Sequence, residues 1–97
     1  MLFALICTDK TPEGLKLRLE NRPDHLAFLG GLGKALKMAG PFLDDQGKEP
    51  RGSLVIIEAK NMEEACQIAA GDPYAKAGVF ENVDIRAFNW LLPQGGE

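Results

Sequence analysis

The chain has one histidine, two cysteines, and no apolar run that approaches the roughly 20 residues of a membrane-spanning helix. Two cysteines are too few for a disulfide framework or for the closely paired thiolates of a zinc site. Cys7 lies in an apolar run and Cys66 in a helical pattern, so both are predicted to be small buried hydrophobic residues. The scattered carboxylates, including the adjacent Asp44 and Asp45, lack the spacing of metal ligands. The sequence therefore predicts no metal site.

Clusters of basic residues are also missing. The 11 lysines and arginines are dispersed, and 14 acidic residues leave a net charge of −3. Nucleic-acid binding needs a concentrated basic surface, so this balance disfavours it. The chain opens with Met1 and the apolar LFALIC, without the basic segment and cleavage site of a signal peptide. We therefore expect a cytoplasmic protein that binds neither nucleic acid nor membranes.

What is present fits one small α+β domain that spans residues 1–97. Two runs, LFALICT (2–8) and SLVIIEA (53–59), are apolar on both faces, which is typical of central strands. Residues 80–90 alternate between the two faces of a further strand, and residues 41–45 form a short edge strand. In so small a domain the buried core is limited, so a partner surface would add to its stability.

Helical patterns separate these strands. The predicted helices are 11–21, 23–39 and 61–70. The break between the first two follows from Pro23, because the residue before a proline is pushed out of the helical region. Gly40 and Pro41 are predicted to end the second helix. The GGLG stretch at 30–33 would then lie inside a helix rather than between a strand and a helix, so the sequence predicts neither a phosphate-binding loop nor a cofactor.

The order of these elements, βαββαβ, is that of the ferredoxin-like fold. Both helical layers would cover one face of a four-stranded antiparallel sheet. The other face also carries apolar residues, with Phe88 and Trp90 near its end, and no element of the chain remains to cover it. A second copy of the sheet is the simplest cover, so we expect a homodimer in which two sheets face each other.

The single histidine is the first candidate for chemistry. His25 is predicted in the first turn of the second helix, on the same face as Leu29 and Leu32. A helix N-terminus disfavours the imidazolium, which would leave the ring neutral and able to accept a proton. The alternative is a core histidine that donates one hydrogen bond to the backbone.

A histidine base usually needs a carboxylate that orients its second ring nitrogen. The chain offers five aspartates as candidates: Asp24, Asp44, Asp45, Asp72 and Asp84. Asp72 stands out because it lies between a glycine and a proline in GDPY, although an aspartate before a proline is also a good helix cap. Spacing alone does not bring Asp72 to His25.

Three blocks carry a resemblance to a known family: RPDHLAFL (22–29), AGPF (39–42) and GDPYAKAGVFENVDIRAF (71–88). With the apolar opening strand, they resemble the YCII-related (YciI-like) family. The resemblance implies a ferredoxin-like domain that pairs into a dimeric α+β barrel, and a catalytic dyad at His25 and Asp72. It also implies four substrate-binding residues near the dyad: Arg22, Gly40, Pro41 and Tyr74.

Three functions remain open at this point. The chain is an enzyme that uses the dyad for cofactor-independent acid–base chemistry, a dimer that binds or senses a small molecule without turnover, or an interaction module. The resemblance favours the first, since one branch of the family removes chloride from a hydroxylated aromatic ring. Arg22 would hold an anionic substrate or be a solvated arginine, and Tyr74 would donate a proton or simply pack over the pocket.

Overall fold

The computed structural model describes residues 1–93. Its strands are β1 (Leu2–Asp9), β2 (Leu36–Leu43), β3 (Pro50–Glu58) and β4 (Phe80–Phe88). Its helices are α1 (Glu13–Gly31), α2 (Met62–Ala70) and the short α3 (Pro73–Lys76), with one 3-10 turn at Gly33–Ala35. The sheet has the order β2-β3-β1-β4 with antiparallel pairing throughout, which confirms the predicted ferredoxin-like α+β fold. The predicted domain extends to residue 97 and so includes residues 94–97, which lie outside the described residues.

The two runs that are apolar on both faces form the central strands β1 and β3. Phe3 on β1 and Ile57 on β3 are adjacent partners in the sheet and are almost fully buried beneath the helices. Leu29 of α1 and Ala65 of α2 belong to the same apolar cluster. Burial of this cluster fixes the register of the strands, because a shift by one residue would turn these side chains to the opposite face.

Helix α1 runs without interruption through Pro23, so the predicted break at this proline is wrong. An interior proline costs a helix about 3 kcal/mol, chiefly through a lost hydrogen bond and a steric clash. Pro23 lies on the exposed side of α1, whereas Arg18, His25 and Leu29 on the inner side are buried. We infer that packing of this inner face offsets the penalty at the proline.

Residues 36–39 form the start of strand β2, so the predicted helix to Ala39 is also wrong. The glycine-rich stretch ends the helix instead of lying inside it: Gly33 has φ of +59°, a left-handed conformation that favours glycine. Gly40 and Pro41 lie within β2 and do not end a helix. The predicted edge strand at 41–45 is therefore the second half of a longer strand.

The face of the sheet opposite the helices has no covering element among residues 1–93 and carries apolar side chains beside the charged Asp84 and Arg86 of β4. Cross-strand partners on this face include Met38 with Ile56 and Leu2 with Phe88. Met38 and Phe88 are each more than two-fifths exposed, whereas Ile56 at the centre is buried by its neighbours. Trp90 lies beyond the end of β4 and not in the strand, where it was predicted.

No helix within residues 1–93 is both long enough and apolar enough to cross a membrane. The two cysteines differ from each other. Cys7 is buried in the core as predicted, but Cys66 is exposed, because α2 turns the neighbouring Ala65 inward and Cys66 outward.

Candidate functional site

A cavity of about 300 Å³ lies between α1 and the β2–β3 edge of the sheet. Ala39 on β2 is small and leaves space beneath the helix, and its strand partner Val55 on β3 contributes to the floor. The volume is at the lower end of the range of small-molecule sites. Five predicted site residues line it: Arg22, His25, Gly40, Pro41 and Tyr74.

His25 and Asp72 are joined by a buried hydrogen bond. Nδ1 of His25 lies 2.8 Å from Oδ1 of Asp72, and both side chains are about nine-tenths buried. A carboxylate only accepts hydrogen bonds, so Nδ1 is the protonated nitrogen and Nε2 is the one able to take up a proton. Among residues 1–93 every fully buried side-chain nitrogen or oxygen has a hydrogen-bond partner. Because the imidazole ring uses Nδ1 for its hydrogen bond to Asp72, we infer that Nε2 opens to the cavity that His25 lines.

Asp72 is held by its place at the start of α3. Its Oδ1 also accepts the backbone N–H of Tyr74 at 2.9 Å, so Asp72 is the N-cap of this short helix. Pro73 at the first helical position is preorganised for that turn. Asp72 is therefore both the helix cap and the partner of His25, and the same oxygen, Oδ1, serves both roles.

Helix α1 holds His25 in a position that differs from the prediction. His25 lies about three turns after the start of α1 at Glu13 and not in a first turn. The argument from a helix N-terminus is therefore wrong, since the dipole effect fades within the first turn.

Tyr74 forms one wall of the site and is almost completely buried. Its ring stacks on His25 with 3.8 Å between ring centroids and an interplanar angle of 6°. Burial raises the pKa of the Tyr74 hydroxyl above its ordinary value, against the opposing positive charges of Arg18 and Arg22. Tyr74 thus stays protonated near neutral pH and fixes the plane of the imidazole.

A second buried acidic group lies on the other side of Tyr74. Arg18 donates to both carboxylate oxygens of Asp9, at 2.9 Å from Nε and 2.7 Å from Nη2, and to Oγ of Ser53 at 3.1 Å. The Arg18 guanidinium carbon also lies 4.7 Å from the centroid of the Tyr74 ring. Arg18, Tyr74 and His25 are therefore in direct contact in that order.

Sequence reasoning missed Arg18, Asp9 and Ser53, although Arg18 and Ser53 line the cavity. The signal was present in the spacing of Arg18, Arg22 and His25, which share one side of an unbroken helix within a sector of about 60°. The predicted break at Pro23 separated Arg18 from His25 and hid that side. The predicted first strand ended at residue 8, whereas Asp9 is the last residue of β1.

Within residues 1–93, no three side chains of histidine, cysteine, aspartate or glutamate come close enough together to hold a metal ion. Asp44 is exposed and uses its carboxylate within its own loop: it accepts backbone N–H groups of Lys48, Glu49 and Gln46, which lower its pKa.

The sequence of this chain is similar to a protein family and to several known proteins. A family model for the YCII-related domain matches residues 1–89. Protein YciI of Escherichia coli is 38% identical over 96 residues, which cover 91% of this chain and 96% of that protein. An uncharacterized protein of Haemophilus influenzae is 35% identical over 94 residues, which cover 90% and 96%.

Solved structures agree with this similarity. The 5-chloro-2-hydroxyhydroquinone dehydrochlorinase of Burkholderia phenoliruptrix, in complex with 2,5-dihydroxybenzoquinone, has a TM-score of 0.82 and 30% identity, and the match covers 92% of this chain and 94% of that one. A NIPSNAP family protein of Agrobacterium tumefaciens, at 14% identity and a TM-score of 0.50 over 88% and 87% of the chains, shares the fold alone. The match over residues 1–89, together with the identity to YciI, shows that this chain belongs to the YCII-related family.

Proposed function

We propose that this protein is a cofactor-independent enzyme in which His25, oriented by Asp72, moves a proton on a small cyclic or aromatic substrate. The observation that carries the proposal is the 2.8 Å bond between His25 Nδ1 and Asp72 Oδ1, beside a cavity of about 300 Å³. A base with one nitrogen fixed and the other open to a small-molecule site is the arrangement that general acid–base catalysis needs.

The proposed step begins with neutral His25, protonated on Nδ1. Nε2 accepts a proton from a C–H group next to a carbonyl, and the electron pair of that bond moves onto the carbonyl oxygen as an enolate. The resulting imidazolium is stabilised by the negative charge of Asp72 at 2.8 Å. Return of the proton to another carbon gives isomerisation, whereas loss of a leaving group from the enolate gives elimination.

The similarity to the dehydrochlorinase supports this class of reaction. That enzyme acts on a chlorinated hydroxyhydroquinone, and it was solved with a quinone bound. Loss of chloride from such a ring is an elimination, which needs proton transfer and no redox cofactor. We extend the class of chemistry to this chain, and with it the proposed roles of Arg22, Gly40, Pro41 and Tyr74 as substrate-binding residues around the cavity.

Deuterium exchange on 2,5-dihydroxybenzoquinone tests the proposed function. The ring C–H of this probe exchanges with deuterated water through its keto tautomer, so a base at the site accelerates exchange. We expect the wild-type protein to accelerate it and His25→Gln to abolish the acceleration while the probe still binds. Glutamine fills similar space and forms hydrogen bonds but cannot act as a base near neutral pH.

Nuclear magnetic resonance follows both binding and the loss of the ring-proton signal in one sample. Lys16→Gln, an exposed site on the same helix, is the matched control and should exchange like the wild type. Undiminished exchange in His25→Gln would rule out His25 as the base. Binding without exchange in the wild type would contradict the enzyme and favour the sensing dimer.

We also propose that the protein is a homodimer in which the open sheet faces pack together. This face has exposed apolar side chains, and its central residues Ala4 and Ile56 are already buried within one chain. A domain of this size gains much from covering such a patch. Sedimentation at micromolar concentration should give about twice the chain mass of 10.5 kDa.

Two methionines with similar exposure give a matched test of that interface. Met38 lies on the open face and is 47% exposed, and Met62 lies on α2 and is 42% exposed. Met38→Lys should shift the protein to the monomer, because it places a charge within the buried interface, whereas Met62→Lys should leave the dimer intact. A monomeric wild type, or equal behaviour of the two variants, would contradict this interface.

A further inference from the structure

Arg18 is a buried cation in the wall of the cavity, and most of its hydrogen-bonding capacity is already used. Nε and Nη2 donate to the carboxylate of Asp9, and Nη2 also donates to Ser53. The side chain is only 6% exposed, so the guanidinium is held in one orientation. Such a fixed donor needs no reorganisation when a ligand binds.

The remaining nitrogen, Nη1, forms no hydrogen bond of standard geometry within residues 1–93. The Tyr74 hydroxyl makes a looser contact with the guanidinium, and this contact acts to lower the pKa of Tyr74 against the larger effect of burial. Because the described residues contain no fully buried polar side-chain atom without a partner, Nη1 keeps contact with solvent. Arg18 lines the cavity, so that solvent contact lies there.

The charges around the cavity are of one sign. Its lining contains two arginines, Arg18 and Arg22, and no acidic residue. Asp9 balances Arg18, whereas Arg22 has no acidic oxygen within 4 Å among residues 1–93. The negative charge of Asp72 lies behind the His25 ring, outside the lining. A ligand in the cavity therefore meets the guanidinium of Arg18, whose charge Asp9 neutralises, and the guanidinium of Arg22, whose charge no described acidic group neutralises.

We infer that the substrate carries an ionised oxygen, which the Arg18 guanidinium binds through Nη1 while Arg22 supplies the attracting charge. This inference rests on the proposed function, since it names the substrate class of the same site. The division of roles follows from burial: Arg18 is almost fully buried and held in place, whereas Arg22 is exposed and its charge can attract an entering anion.

The rest of the lining limits the body of the substrate. Leu26, Leu29 and Val55 offer apolar surface, and the volume of about 300 Å³ suits a molecule of about one ring. During the proposed proton transfer, negative charge develops on the substrate oxygen. Where this charge is delocalised onto the ionised oxygen that Arg18 binds, Arg18 stabilises it while His25 holds the proton, so the two groups act on the two ends of one conjugated system.

The first test compares benzoate with benzamide, which have nearly the same shape and differ in charge. The wild type should bind benzoate at least about tenfold more tightly, the scale expected of one charge-assisted hydrogen bond. Arg22→Gln should lose most of this preference, and Lys16→Gln, which removes the same charge from an exposed site on α1, should retain it. Equal binding of the two probes by the wild type would overturn the inference.

The second test addresses Arg18. Its single replacement would leave Asp9 buried without a partner, so the paired variant Asp9→Asn/Arg18→Gln is used, which keeps the net charge and allows an amide–amide hydrogen bond. With 2,5-dihydroxybenzoquinone, the exchange rate of the bound probe should fall at least about tenfold, more than its affinity falls. A paired variant that exchanges the bound probe at the wild-type rate would overturn the role of Arg18.

The outcomes for this inference and for the proposed function are separable. A preference for benzoate that depends on Arg22, without any exchange of the quinone probe, would uphold the anion site and contradict the enzyme. Exchange of the quinone probe that depends on His25 but not on the arginines, together with equal binding of benzoate and benzamide, would uphold the enzyme and overturn the anion site. Circular dichroism of the paired variant checks that it folds, and Arg22→Gln keeps the test decisive if it does not.

Discussion

Two buried carboxylates lie on opposite sides of Tyr74, and they are held in different ways. Asp9 receives two hydrogen bonds from Arg18, one to each oxygen, at 2.9 and 2.7 Å. Asp72 uses one oxygen, Oδ1, for both His25 and the backbone N–H of Tyr74. The first pair is a closed bidentate contact, whereas the second pair leaves Nε2 of the histidine open.

The two pairs differ in the partner of the aspartate, which is an arginine in one pair and a histidine in the other. An arginine keeps its proton at any ordinary pH, so the Asp9–Arg18 pair is a permanent ion pair that can orient neighbours but cannot transfer a proton. A histidine gains and loses a proton near neutral pH, so the His25–Asp72 pair can change charge during a reaction. Burial and distance are similar in the two pairs, so the residue type decides which pair can transfer a proton.

The largest effect should come from breaking the permanent pair. Arg18→Met leaves the Asp9 carboxylate buried without a counter-charge, and loss of one partner of such a pair typically costs about 3–5 kcal/mol. Urea unfolding measures this loss in the free energy of unfolding. A second substitution, Asp9→Asn in the same chain, should recover part of it, because it removes the stranded charge. A loss below about 1 kcal/mol in Arg18→Met would show that Asp9 is not desolvated as described.

The second effect should appear in exchange and hardly in stability. Asp72→Asn retains an oxygen that can accept from both His25 and the Tyr74 N–H, so the geometry persists while the negative charge is lost. Exchange of 2,5-dihydroxybenzoquinone should fall about 100-fold, the lower end of the usual contribution of acid–base catalysis, because the imidazolium loses its counter-charge. The free energy of unfolding should fall by about 1 kcal/mol or less. An unchanged exchange rate would show that the second pair is as structural as the first.

The smallest expected effect concerns the thiol of Cys7, whose pKa responds to the charges of both pairs. The pKa of the Cys7 thiol is raised from its ordinary value of 9.0 to about 12, chiefly by burial; the charges of Asp72 and Asp9 also act to raise it, and the charge of Arg18 acts to lower it. The folded state thus keeps a proton that the unfolded state loses, so this contribution to stability is present below pH 9 and is lost as pH rises toward 12. Cys7→Ala should therefore weaken the alkaline loss of stability, as measured by urea unfolding across this range.

The same thiol compares the pairs directly. In a Cys66→Ser background, which removes the exposed thiol, the ultraviolet absorbance of the thiolate gives the Cys7 titration. Asp72→Asn should lower the pKa of Cys7, whereas Asp9→Asn/Arg18→Gln should change it less, because Asp9 and Arg18 act in opposite directions. A larger shift in the paired variant would mean that the Asp9–Arg18 charges do not cancel at Cys7.

Much of the fold was predictable because its strands carry strong local signals. The runs at 2–8 and 53–59 are apolar on both faces, which favours the centre of a sheet. The predicted helix at 61–70 also forms, with Asn61 capping α2 by accepting the backbone N–H of Glu64. The second quarter of the chain was mispredicted because two local rules, a break before Pro23 and helical spacing of Leu36 and Ala39, were overridden by packing. Local preference of about 1–3 kcal/mol is a weak guide where an entire helix face becomes buried.

The candidate site was predictable only in part. His25 was a candidate as the single histidine and Asp72 stood out within GDPY, but only the family resemblance paired them. Spacing gave no reason for them to meet, since the contact joins α1 to the start of α3. Arg18 and Asp9 carry no local signature of burial, because a charged residue becomes buried only when its partner arrives from another element. Such pairs are properties of the tertiary structure, which the pattern along a single segment does not contain.

The unbroken course of α1 also restricts how this family can diverge. Arg18, Arg22 and His25 share one side of the helix because they follow one another at intervals of four and three positions. Inserting or deleting one residue between them would rotate the groups on either side of the change by about 100° relative to each other. Homologues that keep the spacing Arg-x3-Arg-x2-His inherit the whole wall as a unit. Those that change its length have to rebuild it, and this spacing is therefore a criterion for sorting relatives by ligand before any is assayed.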